Sequence, residues 1–387
     1  MTKDLASKFT RTGILAFGLM LAACASPASE DLTDARSGQL FVDRGKFEVG
    51  VTTLDLSDRK IEVYYPAAPG AAAGRTNEVY LQTDPLPPML KSLTSRIPAE
   101  VDLSVSVLAF RDVPSASGRS YPLVIFSHGA GGWRSGHGKL LSGIASWGFV
   151  VASVDFPEYG FSSFAGGAAR DMSTRRATSA AAVDSALDLL ASAAGASQGP
   201  LSGTIDMSKI AAVGHSAGGG TMFAQIDNPR IDSIIGWAPV PPQGPGTTSK
   251  PTLIIAAEID SGIPVASLVT AYDSLKAPKR LAVVSRMGHN AFSDSCLAIH
   301  SGNDLISAAK EIGLPVPAPL LELAQNGCRP EDLDTETGWA IIQHLTVAQL
   351  RFSLGLPGAS PTIETELGPR FATTTFELRD AQRELEP

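Results

Sequence analysis

Two serines stand in the pattern Gly-x-Ser-x-Gly: Ser197 in Gly195-Ala-Ser-Gln-Gly199 and Ser216 in Gly214-His-Ser-Ala-Gly218. Glycines on either side permit a sharp backbone turn that lifts a serine hydroxyl clear of its surroundings, where it can attack a carbonyl carbon. The turn works only if an apolar strand feeds it and a helix leaves it. Ser197 follows the end of a helical stretch and runs into Pro200, so it reads as a loop. Ser216 follows the apolar run Ile210–Val213 and precedes Gly219-Gly-Thr-Met-Phe223, a small-residue helix start. A helix N-terminus there favours the negative charge that develops on a substrate oxygen. Ser216 is therefore the expected nucleophile.

A serine hydroxyl attacks only when a base takes its proton and an acid orients that base. Asp260 lies just past the apolar run Thr252–Ala257, and His289 just past the run that ends at Ser285. Their order, Ser, acid, His, suits a site built from successive loops at one edge of a sheet. Glu258 adjoins Asp260 but stays in register with the strand end, and Asp294 follows the histidine, so Asp260 is preferred as the acid. His128, His137, His215, His300 and His344 are expected to pack or be solvated. The anion formed on attack needs two donors, expected from the backbone N–H groups of Ala217 and of Ala130 in His128-Gly-Ala-Gly-Gly132. Trp133, Tyr159, Phe161, Trp237 and Phe292 follow strand ends or flank these loops and are candidate substrate-lining residues.

The elements that must position these groups are legible as alternating patterns. Phe47–Leu54 and Lys60–Tyr65 alternate like paired antiparallel strands. Residues 66–120 read as a long surface excursion with a short helix around Pro88–Arg96. Strands are then expected at Pro122–Ser127, Phe149–Val154, Lys209–Gly214, Ile231–Trp237, Thr252–Ala257 and Arg280–Ser285. Helices are expected near Lys139–Trp147, over Thr178–Ala194, after Ser216, at Val265–Leu275 and at Gly338–Leu354. Short apolar strands alternating with helices predict a mostly parallel sheet covered on both faces, an α/β domain over residues 46–357.

The ends carry a different message. Lys3, Lys8 and Arg11 precede an apolar run from Gly13 to Ala23 that is too short to span a bilayer, and Leu21-Ala-Ala-Cys24 resembles the lipobox of bacterial lipoproteins. This implies a signal over residues 1–23, lipidation of Cys24, and a flexible tether over 24–45. Ala25, where inner-membrane lipoproteins often carry Asp, points to attachment at the outer membrane. Of the three cysteines, Cys296 and Cys328 remain to pair as a disulfide in an oxidising compartment. Net charge is −8, without the basic face that nucleic acid would need. The tail, residues 358–387, has no readable pattern.

Taken in order, Phe126-Ser-His-Gly-Ala-Gly-Gly-Trp-Arg134, Gly148-Phe-Val-Val-Ala-Ser-Val-Asp155, Val213-Gly-His-Ser-Ala-Gly-Gly-Gly220 and Gly288-His289 resemble one group of α/β-hydrolases. That group holds platelet-activating-factor acetylhydrolases, dienelactone hydrolase-like proteins of bacteria and polyester-cleaving cutinase-like enzymes. The resemblance implies esterase activity without metal or organic cofactor, and supports Asp260 through the likeness of Ala257–Pro264 to the cutinase-like acid loop. Dienelactone hydrolases carry cysteine where this chain has Ser216, so that activity is not implied. Cutinase-like members carry tyrosine in the oxyanion loop where Ala130 stands, so their aromatic clamp is not carried over. The expectation is a monomeric serine carboxylester hydrolase for uncharged or apolar esters, polyesters among the candidates, tethered to a membrane by lipid. The alternatives are an acyltransferase or thioesterase on the same three residues, or a silent ligand-binding lipoprotein.

Overall fold

The computed structural model describes residues 40–165, 172–242, 244, 246–357, 371, 374 and 376–381. The expected signal, Cys24 and most of the expected tether lie outside these residues. Among the described residues, twelve strands are formed: β1 (Val49–Leu56), β2 (Arg59–Pro66), β3 (Glu78–Leu81), β4 (Ser104–Val107), β5 (Phe110–Arg111), β6 (Tyr121–Ser127), β7 (Val150–Val154), β8 (Ile205–His215), β9 (Ser233–Trp237), β10 (Thr252–Ala257), β11 (Lys279–Val284) and β12 (Phe376–Ala381). The helices are α1 (Pro88–Lys91), α2 (Gly138–Ala145), α3 (Phe161–Ala165), α4 (Met172–Gly195), α5 (Ala217–Phe223), α6 (Val265–Ser274), α7 (Ser295–Ser301), α8 (Leu305–Glu311), α9 (Ala318–Gln325) and α10 (Thr335–Ser353).

Ten strands make one sheet in the order β12-β11-β10-β9-β8-β6-β7-β2-β1-β5. From β7 to β11 every neighbouring pair is parallel, while β2 on β7, β1 on β2 and β12 on β11 are antiparallel. The parallel centre follows from the side chains. Side chains alternate across a strand, so a strand apolar at every position must be covered on both faces. Val124, Phe126, Val151, Val213 and Ile255 point into one core with α2 and α10. Leu123, Ile125, Val150, Ala212 and Ile254 point into the other with α4, α5 and α6. Because these strands run the same way, the loops after β6, β8, β10 and β11 emerge at one edge, where crevices for ligands form in such sheets.

Four features depart from the sequence expectations. Residues 40–45, read as tether, pack onto α10: Phe41 is buried, its N–H donates to His344 Nδ1 at 3.0 Å, and Gln343 Nε2 donates to its carbonyl at 2.7 Å. The excursion between β2 and β6 contains a two-stranded sheet, β3 with β4, besides α1 and a 3-10 turn at Thr94–Arg96. The long segment after His289 holds three helices, α7 to α9. The tail supplies β12, which pairs along the whole of β11.

Candidate active site

The turn between β8 and α5 places Ser216 at φ 54°, ψ −120°, a backbone conformation that costs a non-glycine residue energy and is held by its surroundings. Its neighbours show why they are glycine. A Cβ on Gly218 would sit 2.3 Å from the carbonyl oxygens of Ser127 and His128, and one on Gly214 would sit 2.4 Å from that of Gly218. Ser197 is exposed in a bend after α4, so only one of the two pentapeptides forms a strand-to-helix turn.

The chain order brings the three expected groups together. His289 Nε2 lies 2.9 Å from Ser216 Oγ, and His289 Nδ1 lies 2.6 Å from Asp260 Oδ2. The other carboxylate oxygen of Asp260 accepts the N–H groups of Gly262 and Ile263, each at 2.8 Å. With that oxygen so fixed, Oδ2 accepts from Nδ1–H, which leaves Nε2 as the acceptor facing the serine hydroxyl. All three residues are buried. The arrangement can take a proton from serine and return it to a leaving group.

The rejected acids have other roles. Glu258 is exposed and accepts the N–H of Arg286 at 2.8 Å, stabilising a turn in which Arg286 has φ 56°. Asp294 is buried away from the serine, accepting from the Tyr80 hydroxyl at 2.9 Å. Of the remaining histidines, His128, His137, His215 and His344 are buried, and the exposed His300 has Nε2 2.8 Å from the Cys328 carbonyl. His128 donates from Nδ1 to the Gly129 carbonyl and accepts the Phe156 N–H on Nε2, so it is neutral, and burial lowers its pKa accordingly. His215 Nε2 donates to the carbonyl of His289 at 3.1 Å, and its Nδ1 accepts from His137 Nε2 at 3.2 Å. Burial pushes the pKa of both down, that of His137 to about 3.

Sequence reasoning missed Asn326. Its side-chain oxygen accepts the N–H of His289 at 2.8 Å and that of Ser261 at 3.3 Å, and its amide donates to the Ile259 carbonyl at 2.9 Å. No motif marks it. The nearest signal was Cys328, two positions on, which is bonded to Cys296. The backbones of Gly288 and Gly327 touch so closely that a Cβ on Gly288 would lie 2.3 Å from the Gly327 nitrogen.

The loop after β6 lies against the nucleophile, since a Cβ on Gly129 would meet Ser216 Cβ at 3.1 Å. Gly131 N–H donates to Tyr159 O and Gly132 N–H to Gly129 O, whereas the Ala130 N–H meets no partner among the described residues. The Ala217 N–H opens α5 and so lacks a helical acceptor. Both alanines line a cavity of about 490 Å³, with Tyr159, Phe223, Ile226, Val240 and Pro241 among its other walls and no charged side chain among the described residues that line it.

Of the aromatic candidates only Tyr159 reaches this cavity, its hydroxyl bonded to Ser127 Oγ and Thr221 Oγ1. Trp237 and Phe292 are wholly buried in the core, and Trp237 Nε1 donates to Thr346 Oγ1 at 3.0 Å. Trp133 packs edge-on against Tyr80, and Phe161 at the start of α3 lies outside the cavity wall. A position after a strand end faces core and crevice alike, and the sequence does not separate them. Among the described residues no cluster of three or more His, Cys, Asp or Glu could hold a metal ion, and no helix is long and apolar enough to cross a membrane.

Comparison with known proteins agrees with this architecture. The model of the PET hydrolase-like family matches residues 124–309, and that of platelet-activating factor acetylhydrolase, isoform II, matches residues 34–162. A platelet-activating factor acetylhydrolase from Cavia porcellus is 46% identical over 52 residues, a stretch that spans 13% of this chain and 12% of that relative. The structure of a ferulic acid esterase from Streptomyces cinnamoneus superposes with a TM-score of 0.62 at 21% identity, covering 88% of this chain and 99% of that one. The likeness at that identity establishes the shared fold.

Proposed function

We propose that this chain, an α/β-hydrolase of the group that holds platelet-activating factor acetylhydrolase-like proteins and polyester hydrolases, is a serine carboxylester hydrolase working through an acyl-Ser216 intermediate. The observation that carries the proposal is the hydrogen-bonded chain Ser216–His289–Asp260, with the hydroxyl 2.9 Å from an imidazole nitrogen whose other side is fixed by a carboxylate. His289 Nε2 takes the serine proton as Oγ bonds to the ester carbonyl carbon. The carbonyl electrons move onto oxygen, where the Ala130 and Ala217 amides receive them. As the tetrahedral centre collapses, the bond to the alcohol oxygen breaks and His289 returns the proton to it. Water then repeats the sequence on the acyl-enzyme, and Asp260 stabilises the imidazolium formed each time.

The cavity is assigned to the acyl part. The leaving alcohol is protonated by His289 and lies on its side, whereas the cavity wall contains Ala130 and Ala217 but no residue of the Asp260 or His289 loops. The described residues of its wall are largely apolar and carry no charged side chain, which suits neutral acyl groups, since burying a carboxylate without a paired cation is costly. Labelling with a fluorophosphonate, which only an activated serine attacks, and a panel of p-nitrophenyl esters of rising chain length test the reading. Wild-type protein is expected to label and turn over. Ser216→Ala should abolish labelling and lower kcat by at least about 10⁴-fold. A variant that hydrolyses esters like the wild type would end the proposal.

The chain is further proposed to act as a monomer, exported and tethered to the outer membrane through lipid on Cys24. The Leu-Ala-Ala-Cys sequence and the Cys296–Cys328 disulfide, a bond of oxidising compartments, support export. Metabolic incorporation of labelled palmitate should be lost in Cys24→Ser, and incorporation that persists would refute the anchor.

A further inference from the structure

His289 has to meet two partners that belong to other loops, the hydroxyl of the β8–α5 turn and the carboxylate of the loop after β10. Its own segment is a four-residue 3-10 turn, His289–Phe292, too short to fix a ring by itself. Both polar groups of its backbone are engaged by buried side chains from elsewhere. Its N–H donates to Asn326 Oδ1 at 2.8 Å and its carbonyl accepts from His215 Nε2 at 3.1 Å. These two side chains do not lead to the same place. His215 directly precedes Ser216, so its bond ties the base to the nucleophile turn. Asn326 also holds Ile259 O and Ser261 N, on either side of Asp260, so its bonds tie the base to the acid loop.

We propose that Asn326 and His215 are positioning residues that hold His289 from its two backbone ends, each setting one of the two distances on which proton transfer depends. The proposal rests on Ser216 being the nucleophile. The tautomers are consistent with it. His215 donates from Nε2 and accepts on Nδ1 from His137 Nε2, so His215 is neutral with its proton on the nitrogen that faces His289 O. The same polarity leaves His137 Nδ1 as a bare acceptor, and that atom is buried without a partner among the described residues. The His215 ring also packs against that of His289, with centroids 4.8 Å apart and planes 40° apart. Asn326 itself is anchored from both directions, by Asn290 N–H donating to its carbonyl at 2.9 Å and by the disulfide that begins two residues later. The Asn326 side chain thus joins the segment between His289 and α10 to both the base and the acid loop.

The test compares disruptive and conservative substitutions, using p-nitrophenyl butyrate turnover, the rate of inactivation by a fluorophosphonate, and the pH dependence of kcat/KM. Misplacing a reacting group by about 1 Å costs on the order of 10²-fold. Asn326→Leu and His215→Phe are therefore expected to lower kcat and the inactivation rate about 10–100-fold while KM changes by less than about twofold. His215→Gln keeps a donor and should recover most of the loss, whereas Asn326→Asp keeps the acceptor for the His289 N–H but loses the donor to Ile259 O, so it should recover part of it. Asn326→Asp should also move the acidic limb of the pH profile upward, because a carboxylate near His289 favours the imidazolium. If Asn326→Leu and His215→Phe match wild type, or if the conservative variants are as inactive as the disruptive ones, the positioning role is refuted. A wild-type protein whose Ser216 does not react with the fluorophosphonate would instead overturn the esterase reading, and this proposal with it.

Discussion

Asp294 shows how much a single buried carboxylate can weigh. Oδ2 accepts the Tyr80 hydroxyl at 2.9 Å and the Lys139 N–H at 3.3 Å, while Oδ1 is buried without a partner. Burial pushes its pKa up to about 7. A carboxyl group whose folded pKa exceeds its unfolded value of about 4 favours the folded state most at low pH. That contribution is lost as pH rises from about 4 through about 7, and is of the order of 2–4 kcal/mol. Asp294→Asn should therefore flatten the dependence of stability on pH across this window, with the variant the more stable protein at pH 8 by chemical denaturation. An unchanged slope would discard the assignment. Sequence reasoning passed over Asp294 on chain order alone, since burial is a property of the fold. Ser216, Asp260 and His289 were legible because their order and their places after apolar runs are written in one dimension. Asn326 was not, because its partners lie 37 and 67 positions away and a lone amide carries no pattern.

Among the elements, the central parallel strands were readable because burial on both faces forces continuous apolar runs. The antiparallel pair β1 and β2 was legible in its alternation, whereas the other strands were not. β3, β4 and β5 are two to four residues long, and β12 carries the charged Glu377, Arg379 and Asp380, as suits an edge strand, in place of an apolar run. No helix was read between His289 and Gly338, where α7 to α9 lie. The link of this segment to the site is the Cys296–Cys328 bond, which closes a loop of 32 positions between α7 and the Asn326 turn. In the chain-entropy account such a loop contributes about 3–4 kcal/mol. Reduction with dithiothreitol is expected to lower the melting temperature and, by loosening the turn that carries Asn326, to lower kcat as well. Activity and heat resistance that both survive reduction would show that this segment is independent of the histidine loop.

At the scale of the molecule, the chain is acidic overall, and the described residues of the cavity wall carry no charged side chain. The two ends of the described domain also turn out to be structural. Residues 40–45 seal α10, and β12 lies along β11, the strand that delivers the histidine loop, with Asp380 paired at 2.9 Å to the buried Arg280. Unpaired strand margins recruit other chains. A protein clipped by proteases after residue 357 would therefore carry an adhesive flank beside its own reaction centre, and would lose its solubility to self-association before it lost any of the groups that touch substrate.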